Sequence, residues 1–376
     1  GKYAVIFFAF VGMVYRGFKP KAITYVVYIL LLLPGVLIAL SSYDFDGRFR
    51  QSMMFNLSGP LSLAVAAIFC YGRQVNFKDF LKVLNFIVYP LIATTVYVFL
   101  YSADSNIDTL ASSSASNPAL SGGYGPNQVS TVLGLGVFIL FTRFLIPYKN
   151  KLVHLIMMFC LVAMAYRALL TFSRGGVFVA VLISGVFAFI IYFTTSIKTK
   201  AKVTFKLMGT IGITLGIWFF TILQTGGMLE NRYENKDSVG REKEDITTGR
   251  LDLFLTEYNT FIQNPVFGIG VGESKDEFQE ELGEAKASHN EITRMVSEHG
   301  SFGLLALIIL VLAPIISKLS GRQNVYFYSL LGFWFLTVFH SSMRIAAPGF
   351  IYGLSLLSLV YTNDKKKKKA LTVSRQ

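Results

Sequence analysis

The chain has 376 residues, of which 53% are hydrophobic and only 15% charged. Soluble domains carry about a quarter charged residues, so this composition, with 34 Phe and 19 Tyr, excludes an ordinary globular enzyme and a disordered chain. A net charge of +13 suggests nucleic acid only until the charges are placed along the chain.

The apolar residues fall in blocks of roughly 20, the length that crosses about 30 Å of hydrocarbon. In chain order, spans are predicted at 3–15, 22–40, 53–71, 83–101, 126–146, 152–172, 175–195, 203–224, 302–317, 325–342 and 349–362. The predicted fold is all-α and polytopic, with about 11 transmembrane helices, or 12 if a further N-terminal helix precedes Gly1. Three regions follow: transmembrane helices at 1–224, a large helical loop at 225–301, and the remaining spans with a basic tail at 302–376.

The connections alternate in charge. Arg16/Lys19/Lys21, Arg73/Lys78/Lys82, Arg143/Lys149/Lys151, Lys198 to Lys206, Lys318/Arg322 and the Lys365–Lys369 run with Arg375 hold 21 of the 35 basic residues but only two acids, Asp79 and Asp364. The positive-inside rule puts this set in the cytoplasm and the other connections outside. The lysine run reads as an anchor at the acidic membrane surface, so membrane lipids are partners and nucleic acid is not. Cys70 and Cys160 lie in apolar blocks and offer no disulfide framework or metal site.

Three outer segments stand out. Residues 102–125 are rich in Ser, Ala and Gly and lead into Pro126-Asn127-Gln128. A very short turn, Thr171-Phe172-Ser173-Arg174-Gly175-Gly176, joins two spans. The loop from 225 to 301 is too long for a connector. In it, Leu251, Phe254, Leu255, Tyr258, Phe261 and Ile262 recur at helical spacing, with Arg250 at the start and Asn264-Pro265 at the end. Gly268, Gly270 and Gly272 predict a tight, mobile turn. An acidic stretch, Glu273 to Glu284, follows. Ser288-His289-Asn290-Glu291 then reads as a capping box, with Ser288 as the cap and His289 in the first helical turn. There the positive helix end favours a neutral imidazole suited to accept a proton.

Five arginines gather on this side. Arg167 and Arg174 are seven apart and share a face if their helix continues that far. Arg167 lies in an apolar run, where a charge needs a partner, with Asp104 as one option, or a purpose. Arg174 and Ser173 precede Gly175-Gly176 at a helix N-terminus, where free amides favour anions. Arg250, Arg294 and Arg344 complete the set. Guanidinium groups bind phosphate bidentately, so an anionic ligand, a lipid phosphate or pyrophosphate, is inferred. Asn290 either orients an acceptor or supports the helix start. His154 reads as structural, His299 lies off the helical face of His289 and makes no metal pair with it, His340 reads as a helix–helix hydrogen bond, and Glu280-Glu281 as a solvated face. No zinc spacing, Walker loop or Ser-His-Asp arrangement is present, and no metal or cofactor is expected.

Together, Gly125-Pro126-Asn127-Gln128, Arg167 through Gly176, Thr248-Gly249-Arg250, Asn264-Pro265-Val266-Phe267-Gly268-Ile269-Gly270, and Ser288-His289-Asn290-Glu291 through Glu298-His299-Gly300 resemble the O-antigen ligase and polymerase family of bacterial surface-glycan enzymes. The resemblance covers about residues 125–315. It implies an inverting, metal-independent glycosyltransferase of twelve-span architecture in the bacterial inner membrane, its site facing the periplasm. The donor would be a glycan on undecaprenyl pyrophosphate, and the acceptor a glycan or a lipid A–core. The family's essential arginines would carry over to Arg174 and Arg250 and its histidine to His289, with Arg167, Ser173, Gly175, Asn290, Arg294 and Arg344 as binding residues. The short, acidic stretch between Arg250 and His289 departs from the family pattern. A lipid-linked glycan transporter or flippase is the alternative, though no internal repeat supports it.

Overall fold

The computed structural model describes residues 1–42, 47–102, 114–146, 150–243, 247, 249–283, 288–341 and 343–361. Lys149, Asp104 with segment 103–113, Thr248, Glu284, Ser342 and the tail from 362, with Asp364, Lys365–Lys369 and Arg375, lie outside the described residues.

Among the described residues the chain is helical with two short strands: α1 (Lys2–Arg16), α2 (Ile23–Ser42), α3 (Gly47–Cys70), β1 (Gln74–Asn76), α4 (Phe77–Tyr101), α5 (Pro126–Leu145), α6 (Lys151–Leu170), α7 (Arg174–Thr194), α8 (Ile197–Gln224), α9 (Met228–Tyr233), α10 (Arg250–Gln263), α11 (Ser274–Leu282), α12 (Glu291–Leu319), α13 (Phe327–Ser341), α14 (Ala347–Ser355) and β2 (Ser358–Val360). Among the described residues, eight of the predicted spans are long and apolar enough to cross a membrane, those carried by α2 to α8 and by α12. The other three hold shorter helices, α1, α13 and α14. Apolar side chains such as Phe8, Phe159, Phe189 and Phe219 are more than half exposed on these helices. That is the surface of a protein whose solvent is lipid rather than water.

One predicted span needs correction. The segment at 349–362 is helical only to Ser355. Its continuation forms β2, which pairs in parallel with β1 in the register Gln74 to Ser358, Val75 to Leu359 and Asn76 to Val360. The apolar run there serves a short strand with Leu359 buried at its centre, and its signal in a short window is the same as that of a helix.

The chain divides into two compact units, one of residues 1–77 with 247–376, the other of 78–246. In the first, α2 and α3 pack with α12 and α14. Buried Tyr25 and Tyr352 share a hydroxyl–hydroxyl hydrogen bond of 2.9 Å, and the Tyr352 hydroxyl donates to the Leu310 carbonyl at 2.9 Å. These bonds satisfy two polar tips that apolar burial would otherwise penalise. In the second unit α5 is the central helix, buried along most of its length and flanked by α6 and α7. Gly134 and Gly176 let α5 and α7 touch backbone to backbone. A Cβ on Gly176 would lie 2.4 Å from the carbonyl carbon of Ser130.

Candidate functional site

In the second unit the site begins at the turn between α6 and α7. The helix carrying Arg167 stops at Leu170, and Arg174 is the first residue of the next helix. The expectation of a shared face is therefore corrected: the two arginines stand on different elements. The break is made at Phe172, a buried residue held at φ 53°, a conformation rarely adopted by a bulky side chain. The Arg232 Nε donates to the Phe172 carbonyl at 2.9 Å, and the Ser173 hydroxyl donates to Asn127 Oδ1 at 2.8 Å. These bonds fix the turn from both sides.

Arg167 is buried and its guanidinium donates to the carbonyls of Val98 and Leu120, at 2.8 and 3.4 Å, while lying 4.8 Å from the Phe99 ring centroid. It ties α4 and the segment before α5 to α6. Arg174, half-buried, occupies a different setting. With Gly175 it lines one end of a cavity of about 910 Å³ that follows α7 as far as Ala188, roughly 21 Å along the helix axis. The walls are almost wholly apolar, with Phe141, Leu161, Leu169, Phe178, Leu207 and Ile217 among them. Tyr233 and Trp218 join Arg174 in the lining. Burial pushes the Tyr233 hydroxyl up to about 12 against the pull of Arg174 and Arg232. Lys243 lies below the usual lysine range because of burial and the fields of Arg232 and Arg174. Three cations thus converge where α7 begins, at the end of an apolar channel. Arg232 and Lys243 were missed by sequence reasoning; both are unremarkable loop cations until the fold brings them to Arg174.

In the first unit, α10 starts at Arg250, which is exposed, and ends at the cap Asn264, as predicted. The histidine turn differs from its expected form. Asn290, not Ser288, is the cap of α12: its Oδ1 accepts from the Ile292 amide at 3.0 Å. Ser288 folds onto Asn290 instead, accepting from its amide at 3.2 Å. His289 therefore precedes the cap and is not in the first helical turn. Both Ser and Asn cap well, and the pattern alone did not separate them. The Arg344 guanidinium donates to the Ser288 carbonyl, so Arg344 is bound to the turn that carries His289. Burial holds Arg344 below the usual arginine range, opposed by Glu291 and assisted by Arg294 and Arg250.

Behind the turn lies a buried ionic cluster. Arg294 bonds Glu291 twice, Nη2 to Oε1 at 2.5 Å and Nε to Oε2 at 3.2 Å, and pairs with Glu298 through Nη1. Side-chain exposures of 5% for Arg294, 4% for Glu291 and 0% for Glu298 mean that almost no water shares these charges. The Arg294 guanidinium is committed to the two carboxylates, although with Arg344, Ser288 and Glu291 it borders a small polar cavity. The turn at Gly268, Gly270 and Gly272, expected to be mobile, is buried and pinned. Ile269 and Gly270 donate to the Ser297 and Glu298 carbonyls at 3.0 and 3.1 Å, and Val271 donates to Gly35 at 3.2 Å. A Cβ on Gly268, which has φ 74°, would meet the Glu298 backbone at 2.5 Å. The α12 helix then bends at Gly300, where φ is 58°.

Glu257 on α10 is a further residue that sequence reasoning passed over. It is buried and accepts from the Thr293 hydroxyl. Burial raises its carboxyl to about 7, against hydrogen bonds from Thr293 and Ser288 and the charge of Arg294.

Residues 159–308 match the O-antigen ligase family model. Over this segment, about two fifths of the chain, the protein is similar to O-antigen ligases. The matched region runs from α6 through the first half of α12 and takes in Arg167, Arg174, Arg232, Arg250, His289 and Arg294. A search among curated proteins returned no match. The match supports ligase-type glycan transfer in surface polysaccharide synthesis, and the eight long apolar helices among the described residues fit a multi-pass membrane protein.

Proposed function

We propose that this protein transfers a glycan from undecaprenyl pyrophosphate to an acceptor hydroxyl at the periplasmic face of the inner membrane. The observation that carries this reading is Arg174, set with two glycines at the start of α7 and at the end of a long apolar cavity. A lipid-linked pyrophosphate has that shape, a hydrocarbon chain ending in a dianion. The first amides of α7 have no partner within the helix and point along its dipole, which favours an anion there. Arg232 and Lys243 add positive charge to the same end.

In this reading Arg174 and Arg250 hold the pyrophosphate and stabilise the charge that grows on it as the glycosidic bond breaks. His289 takes the proton from the acceptor hydroxyl as the oxygen attacks the anomeric carbon from the opposite face, which inverts its configuration. Pyrophosphate leaves as an anion, so the step needs neither a separate acid nor a metal. Ser173 and Gly175 shape the anion end of the cavity. Asn290 and Arg344 position the histidine turn from its two sides. Arg167 and Arg294 are assigned to holding helices rather than ligand.

The test is incubation of purified protein with undecaprenyl-pyrophosphate glycan and candidate acceptors. One added block indicates ligation and a ladder indicates polymerisation. Lipid-glycan flux in vesicles with no product formed would instead support a flippase.

A further inference from the structure

Helix α10 turns its apolar side away from the protein. Leu251, Phe254, Leu255, Tyr258 and Ile262 are 40–57% exposed, and at 3.6 residues per turn they fall within an arc of roughly 100°. The opposite arc carries Leu253, Thr256, Glu257 and Thr260, all buried. Three of those four are polar, and Glu257 bonds Thr293 on α12. In water this orientation would be reversed, because a surface helix sends its apolar stripe to the core.

The exposed stripe does not end with the helix. The Pro265 carbonyl accepts from the Ser301 amide at 2.8 Å, which fixes the chain at the Gly300 bend of α12. Phe267, 52% exposed, stacks on Phe302 at 5.6 Å. From there Leu305 and Ile308 continue the exposed apolar surface along the membrane-spanning half of α12. The outward face of α10 is thus continuous with a lipid-facing surface.

We propose that α10 is an interfacial helix whose Leu251–Ile262 stripe is sunk into the acyl-chain boundary of the leaflet on the side of the 225–301 loop. About 17 Å of helix would lie at the headgroup level. The occupant of the face is phospholipid. The buried polar arc keeps Glu257 and its hydroxyl partners out of hydrocarbon, and Arg250 at the helix start is carried at headgroup depth. Only the further step, that Arg250 there meets a lipid-linked pyrophosphate, rests on the transfer reading; the depth of α10 does not.

The test is nitroxide depth. Tyr258→Cys is labelled in the full chain carrying Cys70→Ala and Cys160→Ala, and reconstituted in phosphatidylcholine–phosphatidylglycerol vesicles. Ile262→Cys is prepared as an independent reporter on the same stripe, and Gln279→Cys as a reporter on the exposed side of α11. Collision with oxygen, which partitions into lipid, is compared with collision with a water-soluble nickel chelate. The expected result is oxygen in excess of nickel at 258 and 262, with the order inverted at 279. Nickel access at 258 and 262 equal to that at 279 overturns the proposal. So does shielding from both reagents with spin–spin broadening, which would mean that a second copy covers the face. The readout needs neither donor nor turnover, so a protein inactive in transfer that keeps the depth pattern would sink the transfer reading alone.

Discussion

Replacing Arg294 with Met tests whether the buried ionic cluster holds α12 or serves a ligand. The methionine preserves most of the side-chain volume and removes one charge and five donors. Glu291 and Glu298 are then left at 4% and 0% side-chain exposure with no cation bonded to them. Breaking a buried pair from one side costs about 3–5 kcal/mol, because the remaining charge is neither solvated nor compensated. At about 2–4 °C per kcal/mol for a chain of this order, Arg294→Met should lower the midpoint of thermal unfolding in detergent by roughly 6–20 °C. Adding Glu291→Gln and Glu298→Gln should recover most of that loss, since the triple variant leaves none of the three positions of this cluster charged. The assay is unfolding followed by intrinsic tryptophan fluorescence. An Arg294→Met protein that melts within about 2 °C of the parent yet has lost transfer would refute the assignment, and would return Arg294 to the ligand-binding set.

Two further perturbations follow from the geometry. Gly176→Ala should destabilise the α5–α7 contact by about 1–3 kcal/mol, because the added methyl meets the Ser130 backbone at 2.4 Å; a variant with an unchanged melting curve would show that the helices part freely. For Glu257 the folded carboxyl titrates near 7 instead of the ordinary 4.5, so the folded state binds this proton more tightly than the unfolded one. Its contribution is most favourable below 4.5 and is lost as pH rises through 7, by about 3 kcal/mol in all. Glu257→Gln should therefore flatten the pH dependence of the melting midpoint between pH 4.5 and 7, and an unaltered slope would contradict the burial argument.

The legibility of this fold divides along physical lines. Long apolar runs have one stable solution in lipid, a hydrogen-bonded helix, which is why α2 through α8 and α12 could be placed from the sequence. The segment at 349–362 could not, since Gly349 and Gly353 dock on α3 at Leu63 and Ala66 and the residues beyond them find a strand partner at Gln74–Asn76. Those are long-range contacts without a local signature. Periodicity found α10 but not its orientation; inside-out and outside-in helices share one pattern, and only the buried Glu257 and Thr260 reveal which side faces the protein. The cap of α12 fell two residues from its expected place because Ser288 and Asn290 are both competent. Arg174 and His289 stood out in the sequence by their settings, a charge before two glycines and a histidine just before a helix, and the roles given to them are the proposed ones. Arg232, Lys243 and Glu257 were not, because each acquires its meaning from a residue tens of positions away, or from burial alone.

The most direct measurement of the transfer account is product formation by purified protein from undecaprenyl-pyrophosphate glycan, with the parent compared with Arg174→Ala and with His289→Ala. The account predicts that both variants fold and that each loses transfer by 100-fold or more, ~3 kcal/mol of lost transition-state stabilisation. Transfer by His289→Ala at the parent rate, or donor use undiminished in Arg174→Ala, would contradict it.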